Sequence, residues 1–391
     1  MMHPLASLLV TTLLLLPGSV HILVNQHNGW TVAAQQNSPA LQTLSIPPLG
    51  TLYHGVYPGG VSGEEDDIAP ENVTSYERLA GKSAAWVYFS DNWYKGRSFP
   101  LDTATWIRSM GSIPFIRLML RSSPEQNVAE PTFTLSRIAS GTFDSDLRKW
   151  AQAARDFGSP LLVEYGTEVN GFWFSWNGYW NGGPDGPERF RDAYRHIVQV
   201  MRDEGASNIL WVFHVNGRDI PNESWNRLEN YYPGDRWVDW IGVSVYGPMS
   251  PTDDPDQFRE LMDSVYPRLA SLNATKPIVL IEFASTGNPQ VDQAAWAGNA
   301  LANLTSLRWP RVIGFSWWNE PPFRLQDNPA LANAFMNYVG LKDNVLARAR
   351  EPQTGIPGYP AFAMICGALL AVALLSRRVG KAKAEAAGSQ P

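Results

Sequence analysis

Through the central part of the chain, short runs of apolar, β-branched and aromatic residues alternate with longer stretches in which Arg, Asp and Glu stand among spaced Leu, Trp, Phe, Tyr, Ile and Val. Eight runs can be counted: Leu52–Tyr57, Ala84–Phe89, Pro114–Met119, Leu161–Tyr165, Ile209–Phe213, Trp240–Val245, Ile278–Ile281 and Val312–Trp317. Near-continuous apolar strands are what a parallel sheet buried on both faces requires. The intervening stretches, Asp146–Phe157 and Pro187–Glu204 among them, have the pattern of amphipathic helices. Eight strands alternating with helices predict an α/β fold, a (β/α)8 TIM barrel over residues 50–345, rather than an open doubly wound sheet. No glycine-rich nucleotide fingerprint follows the first run, which lowers the open-sheet reading further.

The two ends of the chain break this rhythm. Leu5 to Leu16 is an almost unbroken apolar run, followed by Pro17 and later by Val32-Ala33-Ala34, which reads as a signal peptide over residues 1–34 cleaved near Ala34. An uncleaved anchor is the alternative, because the segment before the run carries only His3 and the apolar character persists to Val24. Residues 35–49 and 346–355 read as linkers. Ile356 to Leu375 is twenty residues without a charge, long enough to cross the ~30 Å hydrocarbon layer as a helix. Arg377, Arg378, Lys381 and Lys383 follow at once, so residues 356–376 are expected to form a transmembrane or sorting helix and residues 377–391 a basic cytoplasmic tail, with the barrel on the extracellular face. Pro357-Gly358-Tyr359, the apolar run and the Arg pair resemble the tripartite sorting tails of archaeal surface proteins, although Tyr359 stands where that motif has Phe. Sequons at Asn72, Asn222, Asn273 and Asn303 are compatible with an exported surface.

Composition narrows the partners. A net charge of -6 lacks the concentrated basic surface that holds a polyanion, so nucleic acid is excluded as an expected partner. Sixteen Trp, 14 Tyr and 16 Phe exceed what an ordinary core needs, and flat rings with a polar edge suit the apolar faces of sugars; aromatics used only as core are the bland alternative. The single Cys366 has no intrachain partner, and no His/Cys cluster calls for a metal or another cofactor. The chain is read as a monomer.

In a barrel the site forms at the carboxyl ends of the strands, so polar residues just after each apolar run are the candidates. Glu168 follows the fourth run and Glu282 directly ends the seventh, in Pro277-Ile-Val-Leu-Ile-Glu282. Strands four and seven lie across an eight-stranded ring from each other, and a sugar ring fits between their terminal carboxyls. Retaining glycosidases need two carboxyls ~5 to 5.5 Å apart, one to attack the anomeric carbon and one to protonate the leaving oxygen. One such glutamate alone would more often be a solvated or salt-bridged loop residue; the pair at these two strand ends reverses that.

These residues resemble glycoside hydrolase family 26, a family of β-mannanases with some glucanase and xylanase members. Its acid/base loop, His-Glu-Met-Asn-Gly-x-Trp-x-Trp-Trp, is similar to Glu168-Val-Asn-Gly-Phe-Trp173-Phe-Ser-Trp176 here. The likeness extends from about Gly50 to Tyr338 through Trp211-Val-Phe-His-Val-Asn216, Asp239-Trp-Ile-Gly-Val-Ser-Val-Tyr246, the Glu282 strand and Phe315-Ser-Trp-Trp-Asn319. The resemblance implies a retaining endo-β-glycosidase acting on plant-type or cell-surface polysaccharide, β-1,4-mannan first, with Glu168 as acid/base, Glu282 as nucleophile, and Tyr246 hydrogen-bonded to the nucleophile. It also implies Trp173 with Trp317 or Trp318 as the floor beneath the sugar. Period-two geometry sends one of the Trp pair into the barrel, and Trp317 is favoured for the site. Asn170 and Trp176 belong to the same loop motif. His214 and Asn216 end strand five and either contact sugar hydroxyls or, for His214, sit as a satisfied core histidine. Arg117 either points into the barrel mouth or is a buried partner of Glu164.

Two positions depart from the family: Thr167 stands where mannanases usually have a His that reads the sugar, and Glu164 where the family often has Arg. These leave a β-1,3/1,4-glucanase or xylanase as the rival within the class. A non-catalytic carbohydrate-binding or cell-envelope protein is the rival outside it, against which both glutamates speak.

Overall fold

The computed structural model describes residues 44–348. The segments read as signal peptide, transmembrane helix and basic tail lie outside the described residues, and among the described residues no helix is long and apolar enough to cross a membrane. Eight parallel strands, β1 (Leu52–Tyr57), β2 (Trp86–Asn92), β3 (Ile113–Met119), β4 (Leu161–Tyr165), β5 (Ile209–Asn216), β6 (Trp240–Tyr246), β7 (Ile278–Ala284) and β8 (Val312–Trp318), pair in chain order. Pairing of β8 with β1 and of β1 with β2 closes the ring, giving the expected (β/α)8 barrel. A short ninth strand, β9 (Val345–Leu346), adds to the start of β1.

The strands reach further than their apolar runs. Ser90–Asn92, His214–Asn216 and Glu282–Ala284 are strand, not loop. Apolarity marks burial against hydrocarbon, whereas the ladder requires only backbone N–H and C=O groups, so polar residues facing the barrel mouth stay in register.

Helices α1 (Pro70–Ala80), α2 (Leu101–Ser109), α3 (Leu135–Ala139), α4 (Asp144–Phe157), α5 (Gly186–Asp203), α6 (Phe258–Leu272), α7 (Gln293–Thr305) and α8 (Pro329–Phe335) form the outer layer. In α4 the buried residues are Leu147, Trp150, Ala151, Ala154 and Phe157, a stripe at helical spacing, and Gly158 closes the helix in the left-handed conformation. No α-helix lies between β5 and β6. That connection holds Gly217, Pro221, Asn222, Asn226, Asn230, Pro233 and Gly234, residues that favour turns, and forms two 3₁₀ turns at Ser224–Asn226 and Leu228–Tyr231.

Inside the ring, Trp86 is fully buried and donates from Nε1 to Ser316 Oγ at 2.6 Å. A Cβ on Gly55 would lie 2.1 Å from its indole nitrogen and one on Gly314 2.4 Å from its far edge, so two glycines in β1 and β8 make the space that this side chain fills.

Candidate active site

Strand pairing brings inward-facing polar residues into one layer at the barrel mouth. Ser90 pairs with Arg117, Arg117 with Glu164, and Ser244 with both Asn216 and Glu282. The register shifts on both sides of β7, between Val243 and Ser244 on one flank and between Leu280 and Phe283 on the other. Such irregularities re-aim a side chain, and the one they surround is Glu282.

Glu282 is 3% exposed and both its oxygens have partners: Tyr246 OH donates to Oε2 at 2.9 Å and Tyr88 OH lies 3.0 Å from Oε1. Burial pushes its carboxyl up to about 7, against the pull of Arg117 and with a further push from the Glu168 and Glu164 charges. Glu168 lies just past β4 with a left-handed backbone, φ 48°, a conformation costly for a residue with a Cβ. The turn is held by Gly171 N–H donating to Glu168 O at 2.7 Å. Trp173 Nε1 donates to Glu168 Oε2 at 2.8 Å and Asn216 Nδ2 to Oε1 at 2.9 Å, one donor on each oxygen. Gly166, two residues before, has φ 80° and faces Phe190 so closely that a Cβ would lie 2.3 Å from its ring, which fixes where the loop leaves the strand.

Beneath this pair lies a buried charged network. Arg117 takes both roles left open for it: it points into the mouth and pairs with Glu65 at 2.7 Å, Glu164 at 3.8 Å and Glu282 at 3.9 Å. Its guanidinium also lies 5.4 Å from the Trp318 ring. Glu164 is fully buried. Its Oε1 accepts from Tyr88 OH at 2.7 Å and Thr167 Oγ1 at 2.5 Å, and its Oε2 lies 2.7 Å from His214 Nδ1. Burial raises the Glu164 carboxyl, but His214 and Arg117 outweigh it and hold it below the usual range. Burial in turn lowers the His214 imidazole, but Glu164 outweighs that and raises it, favouring the cation.

Four expected site residues are buried among protein partners. His214 is wholly buried with its other nitrogen, Nε2, 2.6 Å from Ser244 Oγ, so it is the satisfied core histidine of the two readings. Asn170 is buried and its amide holds the end of β5, donating to Asn216 O and Asp219 Oδ1 and accepting from Asn216 N. Trp176 donates to Thr167 O at 2.8 Å and stacks on Phe174 at 4.7 Å beneath the loop. Trp317 packs outward against Phe283 and Phe335 and donates to Phe323 O, whereas Trp318 lies over Tyr57 with ring centroids 3.9 Å apart. The favoured member of the Trp pair is therefore reversed: β8 turns Trp318 inward.

Tyr88 and Glu65 join the network at the barrel mouth, although neither was among the candidates the sequence offered. Tyr88 was legible as a polar-tipped ring at an inward β2 position, two residues after Trp86. Glu65, from the β1–α1 loop, accepts from Ser90 Oγ at 2.9 Å as well as from Arg117. It belongs to an acidic run, Glu64-Glu65-Asp66-Asp67, whose local pattern carries no sign of the cross-strand partner Arg117. Among the described residues no group of His, Cys, Asp and Glu has the arrangement of a metal site.

Residues 136–282 match the profile of glycosyl hydrolase family 26. Endoglucanase H of Acetivibrio thermocellus is 28% identical over 307 residues, 76% of this chain and 32% of that protein, so the chain spans about a third of this relative's length. A mannan endo-1,4-beta-mannosidase of Bifidobacterium adolescentis is 31% identical over 238 residues, 53% of this chain and 23% of that one. Among solved structures, a family 26 β-mannanase from Bacteroides ovatus superimposes with a TM-score of 0.57 at 15% identity, covering 80% of this chain and 95% of its own. Bacillus subtilis mannanase man26 does so with 0.55 at 18%, covering 80% and 91%. The structural likeness speaks for the barrel alone, and the profile and the sequence relatives make residues 136–282 similar to glycosyl hydrolase family 26.

Proposed function

We propose that the chain is an endo-acting β-glycanase that hydrolyses with retention, with Glu282 as nucleophile, Glu168 as acid/base and β-1,4-mannan as substrate. The observation that carries this reading is the pair of buried carboxylates at the ends of β4 and β7, each with a hydrogen-bonding group against both oxygens. In the first step a Glu282 oxygen attacks the anomeric carbon while Glu168 gives its proton to the departing glycosidic oxygen. In the second, Glu168 takes a proton from water, which displaces Glu282 from the sugar. Tyr246 and Tyr88 fix the plane of the nucleophile, and Trp318 over Tyr57 offers the floor. A second reading, β-glucan as substrate, is favoured by Thr167, which stands where the resemblance puts a sugar-reading His and spends its hydroxyl on Glu164.

The two alanine variants test the roles. Glu282→Ala should form no glycosyl intermediate with any leaving group. Glu168→Ala should still glycosylate Glu282 from an aryl glycoside with a good leaving group, then stall, and azide should restart turnover to give a β-glycosyl azide. Inversion of the anomeric centre by the unmodified enzyme would refute the scheme, because it needs a water between carboxyls ~6.5 to 9.5 Å apart. Release of reducing ends from mannan, glucan and xylan separates the two substrate readings.

The enzyme is further proposed to be exported and held at the outer face of the membrane by residues 356–376. The charge-free stretch Ile356–Leu375 with cations after it supports this. The test is protease treatment of intact cells, and activity protected until lysis would overturn it.

A further inference from the structure

We propose that Tyr88 and Glu164 are positioning residues for the nucleophile: Glu164 takes the one proton of the Tyr88 hydroxyl, so that Tyr88 meets Glu282 as a hydrogen-bond acceptor and favours its protonated form. The inference rests on the glycosidase reading for what Glu282 does, and on the buried network alone for where the proton lies. Tyr88 is fully buried on β2, and its hydroxyl stands between two carboxyl oxygens, 2.7 Å from Glu164 Oε1 and 3.0 Å from Glu282 Oε1. A phenol carries one proton and cannot donate to both. The shorter contact leads to the better acceptor. Glu164 is kept ionised by His214, whose Nδ1 lies 2.7 Å from Oε2, and by Arg117, whose Nε lies 3.8 Å from Oε1. Tyr88 does not escape the contest by ionising, because burial and the Glu164 and Glu282 charges push its phenol well up, against Arg117.

With its proton on Glu164, Tyr88 turns a lone pair toward Glu282 Oε1. Their 3.0 Å contact is then a hydrogen bond while Oε1 carries a proton, and a meeting of lone pairs once it does not. Tyr246 on β6 acts in the opposite sense, donating to the other oxygen, Oε2, at 2.9 Å. The charged groups that face Glu282 divide likewise. Arg117 on β3, 3.9 Å away, and His214 on β5 favour the anion, whereas Glu164 on β4 and Glu168 just past it favour the neutral acid. Below the pair, the charges of Glu65 and Glu164 are balanced by those of Arg117 and His214, so an ionised Glu282 adds a negative charge that the buried network does not match. Two tyrosines of opposite hydrogen-bond sense, one on each oxygen, thus give both forms of the nucleophile a partner, and Glu164 decides which tyrosine serves which form.

The test follows the titration of Glu282 in the full chain, in Tyr88→Phe, in Glu164→Gln and in the double variant. Two readouts serve: the acid limb of kcat/KM on an aryl β-glycoside, and the infrared band of the protonated carboxyl that Glu282→Gln removes. Tyr88→Phe takes an acceptor from the protonated form, so both readouts should move to lower pH by roughly half a unit to one unit, the order of one neutral hydrogen bond. In Glu164→Gln the tyrosine is free to donate to Glu282, and there the added Tyr88→Phe should move the titration to higher pH. A merely structural role would not reverse the sign. A move to higher pH in Tyr88→Phe alone would show that Tyr88 already donates to Glu282, and no move that it is uncoupled from that carboxyl; both overturn the proposal, as does the same sign in both backgrounds. If Glu164→Gln does not fold, the result for Tyr88→Phe alone decides. If the parent turns over no glycoside, the glycosidase reading falls, and the infrared titration still decides where the Tyr88 proton lies.

Discussion

The buried carboxyl of Glu282 ties stability to its own ionisation. Its folded carboxyl is raised from 4.5 to about 7. The folded state therefore binds this proton more tightly than the unfolded chain does. The resulting stabilisation is fully present below the unfolded value and is lost as pH rises through about 7. At pH 8 the ionised, buried carboxylate is a burden that Glu282→Gln removes. The variant should resist urea better than the parent at pH 8, by an amount on the order of 1 to 3 kcal/mol, and the gain should vanish near pH 4. No gain at pH 8 would mean that Arg117, Tyr246 and Tyr88 already offset the burial. For turnover, the same ionisation predicts an ascending limb of kcat/KM near pH 7. At this scale the sequence was informative where a polar residue ends an apolar strand, as Glu282 does. It misled where a motif neighbour supports the loop, as Asn170 and Trp176 do. Whether His214 meets sugar or Glu164 depends on cross-strand partners distant in the chain, which no local pattern carries.

Within the strands, the packing of Trp86 ties three elements together. Its indole fills the ring only because β1 and β8 carry Gly55 and Gly314 opposite it, with the hydrogen bond to Ser316 fixing its orientation. A methyl group at position 55 cannot be relieved by a flexible tip, since the atoms it meets belong to a rigid indole. Gly55→Ala should cost roughly 1 to 3 kcal/mol or more of unfolding free energy. Trp86→Leu should cost a comparable amount by leaving a cavity. Combined, the two should cost less than their sum, because the added methyl then enters the space that the indole vacates. Strictly additive losses in urea titrations would show that the clash is relieved elsewhere. The eight strands were legible because both faces of each are buried. The missing helix between β5 and β6 was not, because an eightfold alternation suggests it while Pro221, Pro233 and the glycines locally refuse it.

For the molecule as a whole, the C-terminal edge of the described body is a latch. Val345 is buried, β9 pairs with the start of β1, and Leu52 N donates to Asn344 O at 2.8 Å. Lys82 Nζ donates to Lys342 O at 2.5 Å and Val345 O at 2.7 Å, and Asn344 Nδ2 to Thr305 O at 2.8 Å. These contacts join the last residues of the body to its first strand, to α7 and to the turn after α1. A barrel whose first strand needs this cover has its working boundary after residue 346, ahead of the stretch proposed to hold it to the membrane. Protease acting on intact cells should therefore release an active fragment that ends between Arg348 and Ile356. A recombinant chain ending at Arg348 should match it in melting temperature and turnover. One ending at Gly340 loses β9, both acceptors of Lys82 and the Leu52 contact. It should melt several degrees lower, since each kcal/mol shifts the midpoint of a domain this large by roughly 2 to 4 °C. If the Gly340 chain melts with the parent, the latch contributes nothing. If the Arg348 chain is inactive, the tail does more than tether.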